Sequence, residues 1–245
     1  MRVCISAVLI TLAITAAARS QNANPAPRDD VAAVLRGWEK AMGDTQTFAC
    51  RLQRETKDQA LGIHEDFRGF AIFAKPVNNK SDTRARLKLT RTDSKIFEEY
   101  ICGGGQLYEF VPARQVVRVH KMSRPKGSSD SFLLFLLGIG VGEARKRYDI
   151  KLDDGKPQEH YHVIWFEPKL AADKADFVKA RVTLYKANKM PAHISYVQAN
   201  NTVLTWTFTD LQLNQALPKE ALEPYLPKGW KYEPAQPDVV LPGSK

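Results

Sequence analysis

Cysteine is scarce in this chain, three among 245 residues, and histidine is hardly commoner at five. No C-x-x-C pair exists, which removes the cysteine-based metal motifs. The G-x-S-x-G, H-E-x-x-H and P-loop signatures are missing too. Gly138-Ile139-Gly140-Val141-Gly142 imitates a phosphate loop, but it follows an apolar block where a true one follows a strand. No apolar run reaches the roughly 20 residues of a bilayer-spanning helix, and there is no internal repeat. Long tracts of one charge sign are also lacking. These absences argue against an enzyme, and no cofactor is read from the chain.

What is present begins at the N-terminus. Arg2, the apolar run from Val3 to Ala18 and the small residues Ala16, Ala18 and Ser20 have the layout of a secretory signal peptide over residues 1–20. Cys4 lies at the start of that run, away from the place of a lipidated cysteine. The mature chain is expected in the periplasm or outside the cell, as a monomer. Residues 21–28 read as a linker, 29–232 as one domain, and 233–245 as a Pro-rich disordered tail. The formal charge of +9 is scattered, with Arg84, Arg86, Lys88 and Arg91 on one β-patterned segment and Arg145, Lys146 and Arg147 on another. Such a spread suits a solvated basic face or an anionic membrane surface, and no nucleic-acid partner is read from it.

A helix is predicted from about Asp30 to Met42, with Asp29 or Asp30 as N-cap and Gly43 as stop. Val31, Val34, Leu35, Trp38 and Met42 form its single apolar stripe. From Thr45 the period changes to two. Phe48, Cys50 and Leu52 alternate with Arg51 and Gln53, and Ala85, Leu87 and Leu89 with Arg84, Arg86 and Lys88. Gly103-Gly104-Gly105 and Pro112-Ala113-Arg114 mark hairpins. Further strands are predicted at Tyr148–Leu152, His160–Glu167, Val178–Lys186, Ala192–Gln198 and Thr202–Leu213, with Pro168–Asp176 as a polar loop. In the last strand Leu204, Trp206 and Phe208 oppose Thr205, Thr207 and Thr209, so one sheet face is apolar and the other meets water. The nearly uncharged Ser131–Gly142 block reads as an inserted helix. The fold class is mainly β (α+β). A single curved antiparallel sheet of about eleven strands forms an incomplete barrel, with an N-terminal helix and an inserted helical lid.

Little chemistry stands out. His160 and His162 place two imidazoles at a spacing that can hold a metal, but no third ligand accompanies them, and they read as exposed strand histidines. Cys50 and Cys102 can form a disulfide in an oxidising compartment, or remain two buried thiols. The apolar sheet face is larger than the helices need for cover. Either they fill it as an ordinary core, or they sit as a lid over a cavity that takes an apolar ligand.

The order of elements resembles the periplasmic lipoprotein carriers of the LolA family and their outer-membrane relatives, LolB. The cues are the helix leading into Phe48–Gln53, Phe73-Ala74-Lys75-Pro76, and Gly104-Gly105-Gln106-Leu107-Tyr108-Glu109-Phe110-Val111-Pro112. The Phe132–Leu137 block, Trp165-Phe166-Glu167-Pro168-Lys169, Thr207-Phe208-Thr209-Asp210 and Pro227-Lys228-Gly229-Trp230 continue the series. More narrowly, the chain resembles a planctomycete group of secreted LolA-like proteins. The resemblance implies a half-barrel whose lidded cavity receives acyl chains of lipids or lipoproteins. It places Phe70, Ile72, Leu87, Leu107, Phe110, Leu133, Leu136, Trp165, Trp206 and Phe208 in the cavity or lid. Lys75 stands where the family carries an arginine that reaches the lid and controls its opening; lysine keeps the charge but lacks the planar fork. The alternative is a cell-envelope protein-interaction module of the same fold with a filled core.

Overall fold

A computed structural model of the chain describes residues 30–75, 84–121, 141–153 and 158–234. Helix α1 (Val31–Asp44) starts where predicted, with the Asp30 carboxylate accepting the Ala32 N–H at 3.1 Å. It runs through Gly43 to Asp44. Thr45 ends it, its hydroxyl and its N–H both donating to the Ala41 carbonyl, at 2.7 and 3.2 Å. Gly43 keeps helical backbone because nothing near it demands the left-handed conformation in which glycine stops a helix.

Twelve strands form one sheet. The first meander is β1 (Thr47–Asp58), β2 (Ile63–Ala74), β3 (Arg84–Arg91), β4 (Phe97–Gly103), β5 (Gln106–Val111) and β6 (Val116–Lys121). The second is β7 (Tyr148–Leu152), β8 (Tyr161–Pro168), β9 (Lys179–Tyr185), β10 (Pro191–Val197) and β11 (Val203–Leu213). Antiparallel pairing of β1 with β11 joins them, giving the order β12-β6-β5-β4-β3-β2-β1-β11-β10-β9-β8-β7. The sheet is open, with β7 and β12 at its edges. Gly104 and Gly105, at φ of +62° and +71°, make the β4–β5 turn predicted from the glycine run.

Three expectations are corrected. Strand β12 (Lys231–Pro234) pairs with β6 in parallel, so the sheet is mixed, and Glu233 and Pro234 belong to it where a tail was expected. The proline lies at an edge, where its missing N–H costs nothing. Helix α2 (Val141–Arg147) starts at the end of the block expected as an inserted helix and runs past it, and helix α3 (Ala171–Asp176) occupies the segment expected as a polar loop. They are tied together by Arg147 Nε, which donates to buried Asp173 at 3.0 Å. The signal segment, the linker, most of the Ser131–Gly142 block and residues 235–245 lie outside the described residues.

The two faces of the sheet bury different things. The inner face packs on α1 and α2: Val34, Leu35, Trp38 and Ala144 meet Cys50, Leu52, Phe67, Leu89, Ile164, Phe166, Val182, Ile194 and Phe208. On the outer face of β3–β6, a second small core of Ile101, Phe110 and Val117 is covered by Trp230. There Glu99, wholly buried, accepts from Arg86 at 2.6 and 2.9 Å and from the Tyr225 hydroxyl at 3.0 Å, with Lys88 3.1 Å away. This ion cluster holds the segment after β11 against the sheet.

Gly69 lets two neighbouring strands approach closely. A Cβ at this position would lie 1.8 Å from the Lys88 carbonyl oxygen, an approach of β2 to β3 that only glycine permits. An ion pair spans the same strands. Arg54 of β1 and Glu98 of β4, with β2 and β3 between them, still meet in a two-pronged ion pair at 2.7 and 2.8 Å. The inner face is therefore concave there. Gly69→Ala is expected to cost about 3 kcal/mol or more in urea unfolding. Gly43→Ala, whose Cβ meets nothing within 4 Å, is expected to be neutral or stabilising.

Candidate functional site

Strand alternation sorts the expected cavity residues into two groups. Leu87, Leu107, Trp206 and Phe208 stand on the inner face, in register with Ala71, Cys102, Arg54 and Leu52. Phe70, Ile72, Phe110 and Trp165 stand on the outer face, opposite Lys88, Arg86, Glu99 and Arg181. Phe110 belongs to the small outer core, and Arg86 lies over Phe70. Trp165 carries Lys179, whose Nζ is 4.4 Å from the ring centroid. Leu133 and Leu136 lie outside the described residues.

The inner face has two unlike halves. Under α1 and α2, Ile164, Phe166, Val182, Leu184 and Ile194 have no exposed surface at all. Across β1–β5, two neighbouring rows run Phe48-Phe73-Ala85-Cys102-Leu107 and Cys50-Ala71-Leu87-Tyr100. Apart from buried Cys50, every member is only half-buried. Ion pairs frame this apolar field. Arg54–Glu98 closes one end, with the guanidinium 4.3 Å from the Phe67 ring centroid. Glu109, with His120 at 3.0 Å and Arg118 at 3.7 Å, closes the β5–β6 side.

At the opposite end of the field stands Lys75. Its ammonium donates to the Met42 and Gly43 carbonyls at 2.8 and 2.5 Å, and its own N–H bonds the Gln46 carbonyl at 2.8 Å. Those carbonyls close α1, so Lys75 complements both the unsatisfied acceptors and the negative end of the helix dipole. The partner of this cation, among the described residues, is α1.

Other sequence candidates resolve into structural roles. Cys50 and Cys102 are not bridged. They lie on β1 and β4, three strand spacings or roughly 14 Å apart, where a disulfide needs Cα atoms within about 7 Å. Burial pushes the Cys50 thiol up to about 12, against the opposing hydrogen bond from the Ala71 backbone, so it is not a nucleophile. His160 precedes β8 and is exposed, whereas buried His162 meets Lys189 Nζ at 2.7 Å. The pair is thus split between two environments, and among the described residues no cluster of three metal-ligating side chains occurs. Strand β3 is no free cationic face. Arg84 pairs with Glu223, Arg86 and Lys88 with Glu99, and Arg91 with Glu65 and Asp93. No helix among the described residues is long and apolar enough to cross a membrane.

No family model and no curated protein matches the chain. Solved structures do. A conserved protein of Thermus thermophilus superposes at TM-score 0.50 and 9% identity, over 82% of this chain and 96% of that one. The Pseudomonas aeruginosa MucA/MucB complex matches at TM-score 0.45 and 14% identity over 78% of this chain, which spans only 60% of its counterpart there. A LolA superfamily protein of Nitrosomonas europaea matches at TM-score 0.35 and 10% identity, covering 79% and 97%. At these identities the likeness is one of fold.

Two outcomes follow from this geometry. Lys75→Ala is expected to destabilise the chain by about 1 kcal/mol and to speed hydrogen exchange at the Asp44 and Thr45 amides, while Lys75→Arg retains protection. Alkylation at pH 8 followed by peptide mass mapping is expected to leave Cys50 unmodified in the folded chain and to modify it in denaturant.

Proposed function

We propose that this chain is an exported, non-enzymatic carrier or sensor that holds acyl chains of lipids or lipoproteins against the inner face of β1–β5. One observation carries the reading: a concave apolar field, continuous with the core, in which two whole rows apart from Cys50 stay half-buried while Ile164, Phe166, Val182, Leu184 and Ile194 of the same face have no exposed surface. Leu87 and Leu107 form its floor, with Phe73, Ala85 and Cys102 around them. Trp206 and Phe208 line its border with the packed half. Each buried methylene contributes about 0.8 kcal/mol, so an acyl chain binds such a surface without specific polar contacts. Lys75, holding the end of α1 beside the field, sets how far that helix moves when a ligand enters or leaves.

The place of action in this reading is the periplasm or the cell exterior, which rests on the N-terminal signal pattern. The LolA superfamily neighbour and a putative outer membrane lipoprotein-sorting domain of Vibrio parahaemolyticus agree with the reading but do not carry it.

The full chain, purified from a Gram-negative host and opened in native mass spectrometry, is expected to release lipid. Leu87→Lys and Leu107→Lys, which put an ammonium into the field, are expected to lower that binding about thirtyfold or more. Thr209→Lys on the outer face should not change it. Lipid-free protein whose melting temperature is unmoved by fatty acids and lipopeptides would overturn the proposal; a stoichiometric protein partner captured without lipid would put an envelope interaction module in its place.

A further inference from the structure

The outer face of β8–β11 holds a depression of about 320 Å3, the lower end of the range for small-ligand sites. The register that builds it is regular. Arg181, Ser195 and Thr205 stand side by side in one cross-strand row, and Thr183 and His193 in the next, with Tyr161 at the edge. Every residue that lines it, Gln158 included, carries a polar group, on a sheet whose other face holds the buried Val182 and Ile194.

Arg181 is the unusual member. Among the described residues no carboxylate pairs with it, and its Nε is buried without a hydrogen-bond partner. The acidic groups nearby are all engaged elsewhere. Glu167 faces Lys179 at 3.6 Å, and Asp210 faces Arg51 at 3.2 Å. Glu55, which follows Thr205 in its row, is held by Lys57 at 2.8 Å and His64 at 2.9 Å. The Arg181 guanidinium lies 5.7 Å from the Trp165 ring centroid on one side and borders the hydroxyls on the other, with no counter-charge, which leaves room for an anion from outside.

The hydroxyls are arranged to donate. Ser195 and Thr205 share one proton across 3.0 Å, so one of the two hydroxyls still has its own proton to give. His193 Nδ1 meets the Thr207 hydroxyl at 3.2 Å, which leaves Nε2 for a ligand. Burial, and then the charge of Arg181, disfavour the protonated imidazole; a bound anion reverses the second effect.

We propose that this depression binds a phosphate or sulfate group, with Arg181 as the fork and Thr183, Ser195, Thr205 and Tyr161 as hydroxyl donors. The site is independent of the inner face, since the sheet itself lies between them.

The test follows the His193 ring and the Thr183, Ser195 and Thr205 amides by NMR while inorganic phosphate, or sulfate, is added to the full chain. A second arm measures co-sedimentation with vesicles of phosphatidylglycerol against vesicles of phosphatidylcholine. Saturable shifts with inorganic phosphate or sulfate identify a soluble anion; binding confined to phosphatidylglycerol vesicles identifies a lipid headgroup. In either arm Arg181→Gln weakens binding at least about tenfold, and Arg51→Gln on the same face leaves it unchanged. Should Arg181→Gln fail to fold, Thr205→Val, which removes one donor at constant volume, is expected to weaken binding several-fold. Absence of saturation in both arms, or equal binding by wild type and by whichever of these two site variants folds, overturns the proposal.

Discussion

Twelve strands at about 4.8 Å spacing make a sheet roughly 55 Å across along its curve, whereas a helix of fourteen residues such as α1 is about 21 Å long and 10 Å wide. Helix α2 adds half that length. This disproportion governs the molecule. The described helices pack on the part of the inner face around Ile164, Phe166, Val182 and Ile194, and leave a half-buried apolar field toward β5. A flat sheet with the same shortfall would expose that field broadly to water. Curvature converts it into a hollow, and in that part of the sheet Gly69 lets β2 press on the Lys88 carbonyl.

The polar groups of the inner face fit that geometry. Arg54 and Glu98 bridge the hollow through two hydrogen bonds, with the guanidinium over Phe67. Such a pair contributes little net stability when its desolvation is counted, but it fixes where the apolar field ends. Glu109 with His120 and Arg118 does the same toward the β6 side. On the outer face, the Glu99 cluster and the aromatic contacts of Phe110 with Tyr225 and Trp230 bind the last part of the chain. The sheet therefore carries two cores on opposite faces.

That second core limits what alternation reveals. In Phe70-Ala71-Ile72-Phe73 both faces are apolar, so the pattern does not say which residues look inward, and a slip of one residue exchanges the sets. Phe70, Ile72 and Phe110 read as cavity residues for this reason, while Leu87, Leu107 and Phe208, flanked by charged or hydroxyl residues, sort cleanly. The helix start, the glycine turn and the apolar stripe of α1 were legible because each is a local signal, whereas Lys75 was singled out only by the family resemblance. Gly69 was not, since its need for a missing Cβ arises from a neighbouring strand. Nor was the outer depression, whose residues come from four strands; the alternating Thr205, Thr207 and Thr209 hinted only at a wet face.

The central claim is that acyl chains occupy the β1–β5 half of the inner face and not the packed half. A nitroxide-labelled stearate added to isotope-labelled protein tests it through distance-dependent broadening of amide signals. The account predicts broadening centred on Ala71, Leu87, Cys102 and Leu107, with Ile164, Val182 and Ile194 unaffected. Broadening centred on β8–β10, or no site-specific broadening at saturating stearate, would contradict it.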